Sequence, residues 1–295
     1  MNPVSFLSIC RMAIRPKTLM AALSPVMIGT AMAFGDGVSH FPTAFLCLAG
    51  ALLIQIGTNL ANDYFDFKKG ADTHERLGPT RVTQAGLISP GIIKWAFILT
   101  FALAALISTR LIERGGWPIL VIGVLSIVSG ILYTAGPWAL GYMGLGDLFV
   151  LIFFGPVAVA GTYYVQSHEI NNAVILAGLA PGLISVGILT INNLRDKDSD
   201  QSSGKKTLAV RFGKSFAQME YLIAILTAAV IPVFIYIYIE DHIWILACVI
   251  ISLLAVPAFK TVLTKSDGPS LNLALAFTGE LLFIYSLLFS LGWVL

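Results

Sequence analysis

The chain has 295 residues, of which 57% are hydrophobic and 12% carry charged side chains. Soluble domains have about 25% charged residues, so this composition excludes an ordinary soluble protein and indicates an integral membrane protein. The formal net charge of +2 is too small to indicate a nucleic-acid partner. The three cysteines and four histidines are scattered along the chain and show no metal-binding spacing.

The N-terminal segment combines apolar and basic residues. Arg11, Arg15 and Lys17 follow the first apolar residues, and no small-residue cleavage site comes after them. A cleavable signal peptide has its positive charges before the apolar core, so this segment is not expected to be one. These cations and the apolar residues Phe6, Leu7, Ile9, Cys10 and Ile14 instead predict a short helix that lies on the membrane surface.

Nine apolar stretches are long enough to cross a bilayer, which takes about 20 helical residues. They lie near residues 19–35, 42–63, 92–112, 117–135, 145–166, 172–194, 220–239, 243–259 and 273–293. The predicted fold class is therefore all-α, a polytopic membrane bundle of nine transmembrane helices. We expect a single domain over residues 1–295.

The basic residues are distributed unequally between the two sides of this bundle. Arg110 and Arg114 lie on one side, whereas every other Lys and Arg lies before the first span or at the connections after even-numbered spans. The positive-inside rule places the basic side in the cytoplasm. The N-terminus is therefore predicted to be cytoplasmic and the C-terminus to lie outside.

Two acid-rich motifs end the second and the sixth span. Each motif places one asparagine and two aspartates on one helix face, at i, i+4 and i+7 or i+8. They are Asn59, Asp63 and Asp66 in the first motif, and Asn192, Asp196 and Asp200 in the second. Carboxylates at this density repel one another unless a cation lies between them, and oxygen ligands suit Mg²⁺. We expect the two helix ends to face each other across a Mg²⁺–diphosphate site.

The alternative for these acids is a solvated rim of the bundle. The repeated Asn-x-x-x-Asp spacing and the adjacent apolar helices favour a site, because charges at membrane depth are costly. Each motif also precedes a long polar connection, roughly 64–91 and 195–219. Since the two spans are four apart, this arrangement resembles a parallel repeat of a four-helix unit followed by a ninth helix.

Cations and aromatic residues lie close to the acids in the sequence. An arginine beside carboxylates can bind a diphosphate with two parallel hydrogen bonds, although the positive-inside bias explains part of this basic character. The segment 202–207 contains Gly-Lys-Lys-Thr but lacks a complete phosphate-binding loop, which we therefore exclude. Tyr133 is expected to face the cavity and to stabilise a carbocation through its ring. Asp147 is interpreted as a helix N-cap.

Six stretches of the chain occur in the order in which one known family has them. They are residues 15–18, 59–72, 78–81, 141–147, 192–196 and 204–213. These stretches resemble the motifs of the UbiA superfamily of membrane prenyltransferases, and in particular its naphthoate-prenylating branch. Two positions depart from the pattern. Gly70 stands where many relatives have an acid, and Pro137 and Trp138 occupy the place of a lysine.

The resemblance implies a helical bundle around a central apolar chamber that the two polar connections cap. Mg²⁺ would be held by Asp63, Asp66, Asp196 and Asp200, with Asp72 as a further ligand. These aspartates and Tyr133 would be catalytic. The substrate-binding residues would be Asn59, Asn192, Arg15, Lys17, Lys68, Arg81, Arg195, Lys205, Lys206 and Tyr142.

The reaction implied is transfer of a polyprenyl group from polyprenyl diphosphate to an aromatic acid, 1,4-dihydroxy-2-naphthoate, with decarboxylation. The product would be demethylmenaquinol, made at the cytoplasmic face of a bacterial membrane. One alternative keeps the fold and changes the acceptor to 4-hydroxybenzoate, homogentisate or haem. Another is a divalent-cation or phospholipid transporter, which would place ionisable groups near the bilayer midplane rather than at one face.

Overall fold

Helices form most of the structure. The computed structural model describes residues 5–71 and 77–295, and these residues contain no β-strand. The α-helices are α1 (Phe6–Ile14), α2 (Pro16–Gly35), α3 (Phe41–Lys68), α4 (Pro90–Gly115), α5 (Trp117–Leu132), α6 (Gly146–Phe153), α7 (Pro156–Ser167), α8 (Asn172–Arg195), α9 (Lys197–Ser202), α10 (Leu208–Phe212), α11 (Lys214–Ile239), α12 (Ile251–Leu254), α13 (Val256–Thr264) and α14 (Gly268–Val294). A 3₁₀ helix, Ile243–Ile250, precedes α12.

Eight helical segments of the described chain are long and apolar enough to cross a membrane. They are Pro16–Gly35, Phe41–Lys68, Pro90–Gly115, Gly146–Ser167, Asn172–Arg195, Lys214–Ile239, Ile243–Thr264 and Gly268–Val294. The remaining predicted span, 117–135, corresponds to α5, which is apolar but only 16 residues long and is followed by turns. The predicted all-α, multi-pass membrane fold is confirmed, with one helix shorter than expected.

The outer surface of the bundle is apolar. On α4, Trp95, Leu99 and Leu106 are 67%, 62% and 64% exposed and lie on one face of the helix. A continuous stripe of large exposed apolar side chains is rare in soluble monomers. This surface therefore suits contact with lipid chains, as the composition predicts.

The interior contains two main apolar clusters, and each includes the end of one acid-rich helix. One cluster contains Leu60 of α3 with Phe97 and Phe101 of α4. The other contains Ile191 of α8 and Tyr221 of α11. α3 thus runs along α4 as α8 runs along α11, which is the pairing expected of the predicted repeat. Both motif helices end on the same side of the bundle, which we call the acid end.

α8 approaches the junction of α6 and α7 through two glycines four residues apart. A Cβ on Gly178 would lie 2.6 Å from Pro156 Cα, and one on Gly182 would lie 2.5 Å from the Leu151 carbonyl oxygen. Small residues at this spacing let membrane helices approach closely enough for backbone contact. The glycines therefore fix α8 against the helices that line the site.

We expect Gly182→Ala to lower the free energy of unfolding by about 1–3 kcal/mol, because the added methyl group must displace backbone rather than a flexible side chain. Thermal unfolding in detergent measures the effect. Gly91→Ala is the matched control, since a Cβ there has no neighbour within 4 Å. Equal destabilisation by the two substitutions would contradict this packing.

The predicted N-terminal helix is confirmed as α1. Phe6 and Leu7 are 79% and 80% exposed, so the helix presents apolar side chains away from the bundle. Arg15 joins α1 to α2 in the left-handed conformation, with φ of 57°. The location of α1 on a membrane surface stays a prediction.

Candidate active site

A cavity of about 930 Å³ lies among the helices, and we call its polar part at the acid end the mouth. Residues of α2, α3, α5, α7 and α8 form most of its wall, and that wall is largely apolar. The mouth is polar and brings together predicted site residues from both halves of the chain. They are Arg15, Lys17, Asn59, Asp66, Arg81, Tyr133, Tyr142, Asn192, Arg195, Asp196, Asp200 and Lys205.

Asp66 is the most highly connected carboxylate of the first motif. It is 2% exposed, and it accepts hydrogen bonds from Arg81 Nη2 at 3.2 Å and from the Tyr142 hydroxyl at 3.0 Å. α3 ends two residues later, with Lys69 as its C-cap. Gly70 follows with φ of +66°, and the Ala71 amide donates to the Asp66 carbonyl. A left-handed residue after the C-cap favours glycine, so the missing acid at position 70 has a structural reason.

The second motif is organised by a buried ion pair. Arg195 donates to both carboxylate oxygens of Asp196, from Nε at 2.8 Å and from Nη2 at 2.6 Å. It also donates to the side-chain oxygens of Asn192 and Asn272, at 2.7 and 2.6 Å. A bidentate arginine fixes the orientation of its partner carboxylate, so Asp196 is held at the cavity wall.

Lys205 connects the two motifs. Its Nζ lies 3.3 Å from Asp200 Oδ1 and 4.0 Å from Asp66 Oδ2. Burial raises the pKa of the Asp200 carboxyl above its ordinary value, while the nearby Lys205 ammonium opposes the shift and Asp196 adds to it. Carboxylates from both halves of the chain thus share one ammonium group, and the Mg²⁺ ion expected between the two motifs stays a prediction.

The donors at the mouth suit a hard divalent ion, although the side chains do not form a complete metal site as they stand. Within residues 5–71 and 77–295, no three His, Cys, Asp or Glu side chains are grouped so that they could hold a metal ion. Carboxylate oxygens are nevertheless the ligands that Mg²⁺ prefers. Because the Lys205 ammonium already occupies the space between Asp66 and Asp200, a divalent cation fits there once Lys205 moves.

Asp63 is placed differently from Asp66, Asp196 and Asp200. It is buried but is not part of the cavity wall. Its carboxylate accepts hydrogen bonds from the backbone amides of Val82, at 3.2 Å, and Thr83, at 3.4 Å. Asp63 therefore anchors the connection after α3, which also carries Arg81 to Asp66.

Asn59 fastens the N-terminal helices to the first motif. Its Nδ2 donates to the Ile14 carbonyl and to Thr18 Oγ1, each at 2.9 Å. These bonds flank Arg15, so they hold that side chain at the cavity wall.

Two tyrosines contribute differently to the mouth. Tyr133 lines the cavity, and burial raises the pKa of its hydroxyl above the ordinary value. Tyr142 binds Asp66 with its hydroxyl and receives the Lys69 ammonium 4.1 Å from its ring centre. Lys69 also donates to the Gly136 carbonyl at 2.9 Å. Lys69 thereby places an ammonium group beside Pro137, at the turn where many relatives have a lysine.

Besides Asp63, two described residues of the predicted set, Lys68 and Lys206, are not part of the cavity wall. Lys68 is exposed beside Tyr64, with its Nζ 5.6 Å from the ring centre. Lys206 is also exposed, although its backbone amide bonds to the Tyr142 carbonyl. Asp72 lies outside the described residues.

The interpretation of Asp147 as an N-cap is wrong. α6 begins at Gly146 with Leu145 at the N-cap position, so Asp147 lies in the first turn of the helix. Its side chain is buried, and Oδ1 has no hydrogen-bond partner. The helix begins at Gly146, one residue before Asp147, so the Asp147 side chain is already inside the helix and cannot be its N-cap.

Asn272 is a site residue that the sequence argument missed. It accepts a hydrogen bond from Arg195, and its Nδ2 donates to the Leu77 carbonyl at 3.0 Å. It thus ties α14 to both polar connections. The available signal was an amide directly before the last predicted span, 273–293, where a polar side chain at a helix end can face the bundle interior.

Comparison with known proteins agrees with this architecture. Residues 22–291 match the UbiA prenyltransferase family. The chain is 36% identical to the 1,4-dihydroxy-2-naphthoate octaprenyltransferase of Escherichia coli K12, over 95% of this chain and 93% of that protein. It is 41% identical to the Haemophilus influenzae protein of the same name, over 73% and 72%.

The fold also matches a solved structure. A UbiA homologue from Archaeoglobus fulgidus, bound to GPP and Mg²⁺, superposes with a TM-score of 0.62 at 17% identity, over 95% of this chain and 98% of that one. The match to the family covers nearly the whole chain, and the chain is therefore a member of the UbiA prenyltransferase family.

Proposed function

We propose that this transferase moves a polyprenyl group from polyprenyl diphosphate to 1,4-dihydroxy-2-naphthoate and releases the acceptor carboxylate as CO₂. The product is demethylmenaquinol, so the reaction belongs to menaquinone biosynthesis. The observation that carries the reaction type is an apolar cavity that ends in buried carboxylates and cations. Such a cavity suits a molecule with a long apolar chain and an anionic head. The names of the relatives support the acceptor.

The cations at the mouth would bind the diphosphate. Lys205 and Arg81 flank Asp66, and Arg15 and Lys17 lie at the cavity wall. Their positive charge stabilises the leaving diphosphate more than the bound substrate, because negative charge grows on it as the carbon–oxygen bond breaks. Arg195 also lines the cavity and would contact substrate while it orients Asp196.

Mg²⁺ would be held by Asp66, Asp196 and Asp200, whereas Asp63 lies outside the cavity wall and would hold the connection after α3 in place. When bound, the ion supplies further positive charge for the leaving diphosphate. Tyr133 would face the allylic carbocation with its ring, which stabilises positive charge. The apolar wall excludes water, so the carbocation reacts with the acceptor ring rather than being hydrolysed.

We also propose an orientation and a location. The whole chain forms one prenyltransferase domain in a bacterial cytoplasmic membrane, with the N-terminus and the acid end in the cytoplasm. The distribution of Lys and Arg supports this orientation.

An assay of purified protein tests the function. Polyprenyl diphosphate and Mg²⁺ are supplied with 1,4-dihydroxy-2-naphthoate or, in parallel, with 4-hydroxybenzoate. We expect a decarboxylated, prenylated product from the naphthoate only, and no product after chelation. Product from 4-hydroxybenzoate alone would overturn the acceptor, and no product from either would overturn the function.

Tyr142→Phe is expected to lower kcat/KM about 10- to 150-fold, because it removes a hydrogen bond to a carboxylate, a contact with a charged group that contributes about 1.5–3 kcal/mol. The ring that receives Lys69 is retained. The same assay measures the loss. Tyr64→Phe is the control, since the Tyr64 ring also receives a lysine ammonium, that of Lys68, but is not part of the cavity wall. A similar loss in both variants would contradict a specific role for the Tyr142 hydroxyl.

A further inference from the structure

Arg211 holds two separate segments of the chain together at the acid end. Its Nε donates to the Lys206 carbonyl at 2.9 Å, and its Nη2 donates to the Met143 carbonyl at 2.7 Å. The Lys206 amide also donates to the Tyr142 carbonyl at 2.9 Å. A guanidinium group presents several donors in one plane, so a single side chain can bind both carbonyls. We call these three hydrogen bonds the bridge.

Gly144 lets the two segments approach this closely. It has φ of +73°, and a Cβ added there would lie 2.6 Å from the Lys206 carbonyl oxygen. That oxygen already accepts the hydrogen bond from Arg211, so a side chain at position 144 would push against the bridge. The close contact and the backbone conformation both favour glycine. Gly144 and Arg211, from different parts of the chain, thus serve the same contact.

The bridge carries the backbone of two residues of the candidate site. Tyr142 is part of the bridge, and its hydroxyl donates to Asp66 at 3.0 Å. Lys205 directly precedes Lys206, and its Nζ lies 3.3 Å from Asp200 Oδ1 and 5.1 Å from the centre of the Tyr142 ring. Neither Tyr142 nor Lys205 belongs to a helix. Their positions therefore depend on contacts between segments, such as the bridge.

Arg211 itself lies outside the cavity wall, and it is exposed. An effect of this residue on a ligand in the cavity must therefore pass through the residues that the bridge holds. Segments without regular hydrogen bonding are more mobile than helices. Fixing such segments before a ligand arrives lowers the entropy that is lost on binding, which increases affinity.

We propose that Arg211 is a positioning residue for the diphosphate end of the substrate. By holding residues 142–144 against residues 205–206, it keeps the Tyr142 hydroxyl and the Lys205 ammonium beside Asp66. The Lys205 side chain can then move to admit a divalent cation while its backbone stays fixed. This inference rests on the proposed function.

Titration calorimetry of purified protein with Mg²⁺ and unreactive geranyl thiolodiphosphate tests this role. We expect Arg211→Met to raise Kd about tenfold, which is within the range for groups coupled in one hydrogen-bond network. Lys214→Met is the matched control, because the Lys214 ammonium donates to Ser266 Oγ, at 2.6 Å, and not to the bridge. We expect the wild-type Kd from this control. Equal Kd values for the two variants would overturn the inference.

Gly144→Ala tests the same contact from the other segment, and we again expect Kd to rise. Gly86→Ala is its control, since Gly86 has a similar φ of +69° but a Cβ there would have no neighbour within 4 Å. The control therefore includes the backbone strain without the contact. If Arg211→Met did not fold, this pair would decide the question. Equal Kd values for the two glycine variants would contradict a role for the bridge.

A double substitution shows whether Arg211 acts through Lys205. In a Lys205→Met background, we expect Arg211→Met to raise Kd about threefold or less, because one of the two groups that the bridge positions is already absent. The same tenfold effect in both backgrounds would mean that Arg211 acts independently of Lys205, which would overturn the inference. Absence of binding by the wild-type protein would instead overturn the proposed function.

Discussion

Replacing Asp200 by asparagine is expected to lower kcat about 100- to 1,000-fold in saturating Mg²⁺, with little loss of folding stability. Removal of one group that stabilises charge in a transition state has an effect of this size. Asparagine keeps the shape of the side chain but removes the negative charge that attracts Lys205 and, in the proposed site, a divalent ion. Burial raises the pKa of the Asp200 carboxyl, which means that the surroundings disfavour its ionised form. The fold should therefore tolerate the neutral asparagine side chain at this position.

Asp198→Asn is the matched control for this prediction. Asp198 belongs to the same short helix, α9, but its side chain is 95% exposed and its contact with Lys197 is 3.8 Å long. We expect wild-type turnover from this variant. Wild-type turnover from Asp200→Asn, or an equal loss in both variants, would contradict the assignment of Asp200.

Arg195→Met is expected to destabilise the fold by about 3–5 kcal/mol, because it leaves the Asp196 carboxylate buried without its partner. The side chains of this pair are only 1% and 7% exposed. Asn192 and Asn272 would each lose a hydrogen bond as well. Denaturant titration in detergent measures the change in the free energy of unfolding.

A second variant separates the folding effect from the catalytic one. Arg195→Met combined with Asp196→Asn removes the uncompensated charge, so we expect much of the stability to return while activity stays absent. Arg110→Met is the control for ion pairs in general, since the side chains of Arg110 and Glu113 are 72% and 61% exposed and such pairs contribute about 1 kcal/mol or less. Equal destabilisation by the two arginine substitutions would contradict the account of the buried pair.

The membrane fold could be predicted because it depends on local properties. Apolar stretches of sufficient length identify the spans whatever their neighbours are. The length of α5 was the exception, since the turns that follow it also contain apolar residues such as Ala135 and Trp138. Composition alone does not show where helical hydrogen bonding stops.

The candidate site could be predicted in outline but not in its contacts. Helical spacing correctly places Asp63 and Asp66 near each other, but it does not show which neighbouring segment each carboxylate meets. The connection after α3 folds back, and its backbone amides reach Asp63 while Arg81 reaches Asp66. The bond between Arg195 and Asn272 likewise depends on α14 packing beside α8, which only the tertiary structure determines.

In the proposed site, carboxylates of both motifs bind one prenyl diphosphate through a divalent cation at the mouth of the cavity. The most direct measurement is a crystal structure of the protein with Mn²⁺ and an unreactive geranyl thiolodiphosphate, in which anomalous scattering locates the metal. We expect the metal peak between Asp66 and Asp200, with Lys205 displaced from its present position and the geranyl chain inside the cavity. A metal peak elsewhere, or a diphosphate bound away from these two aspartates, would contradict the account.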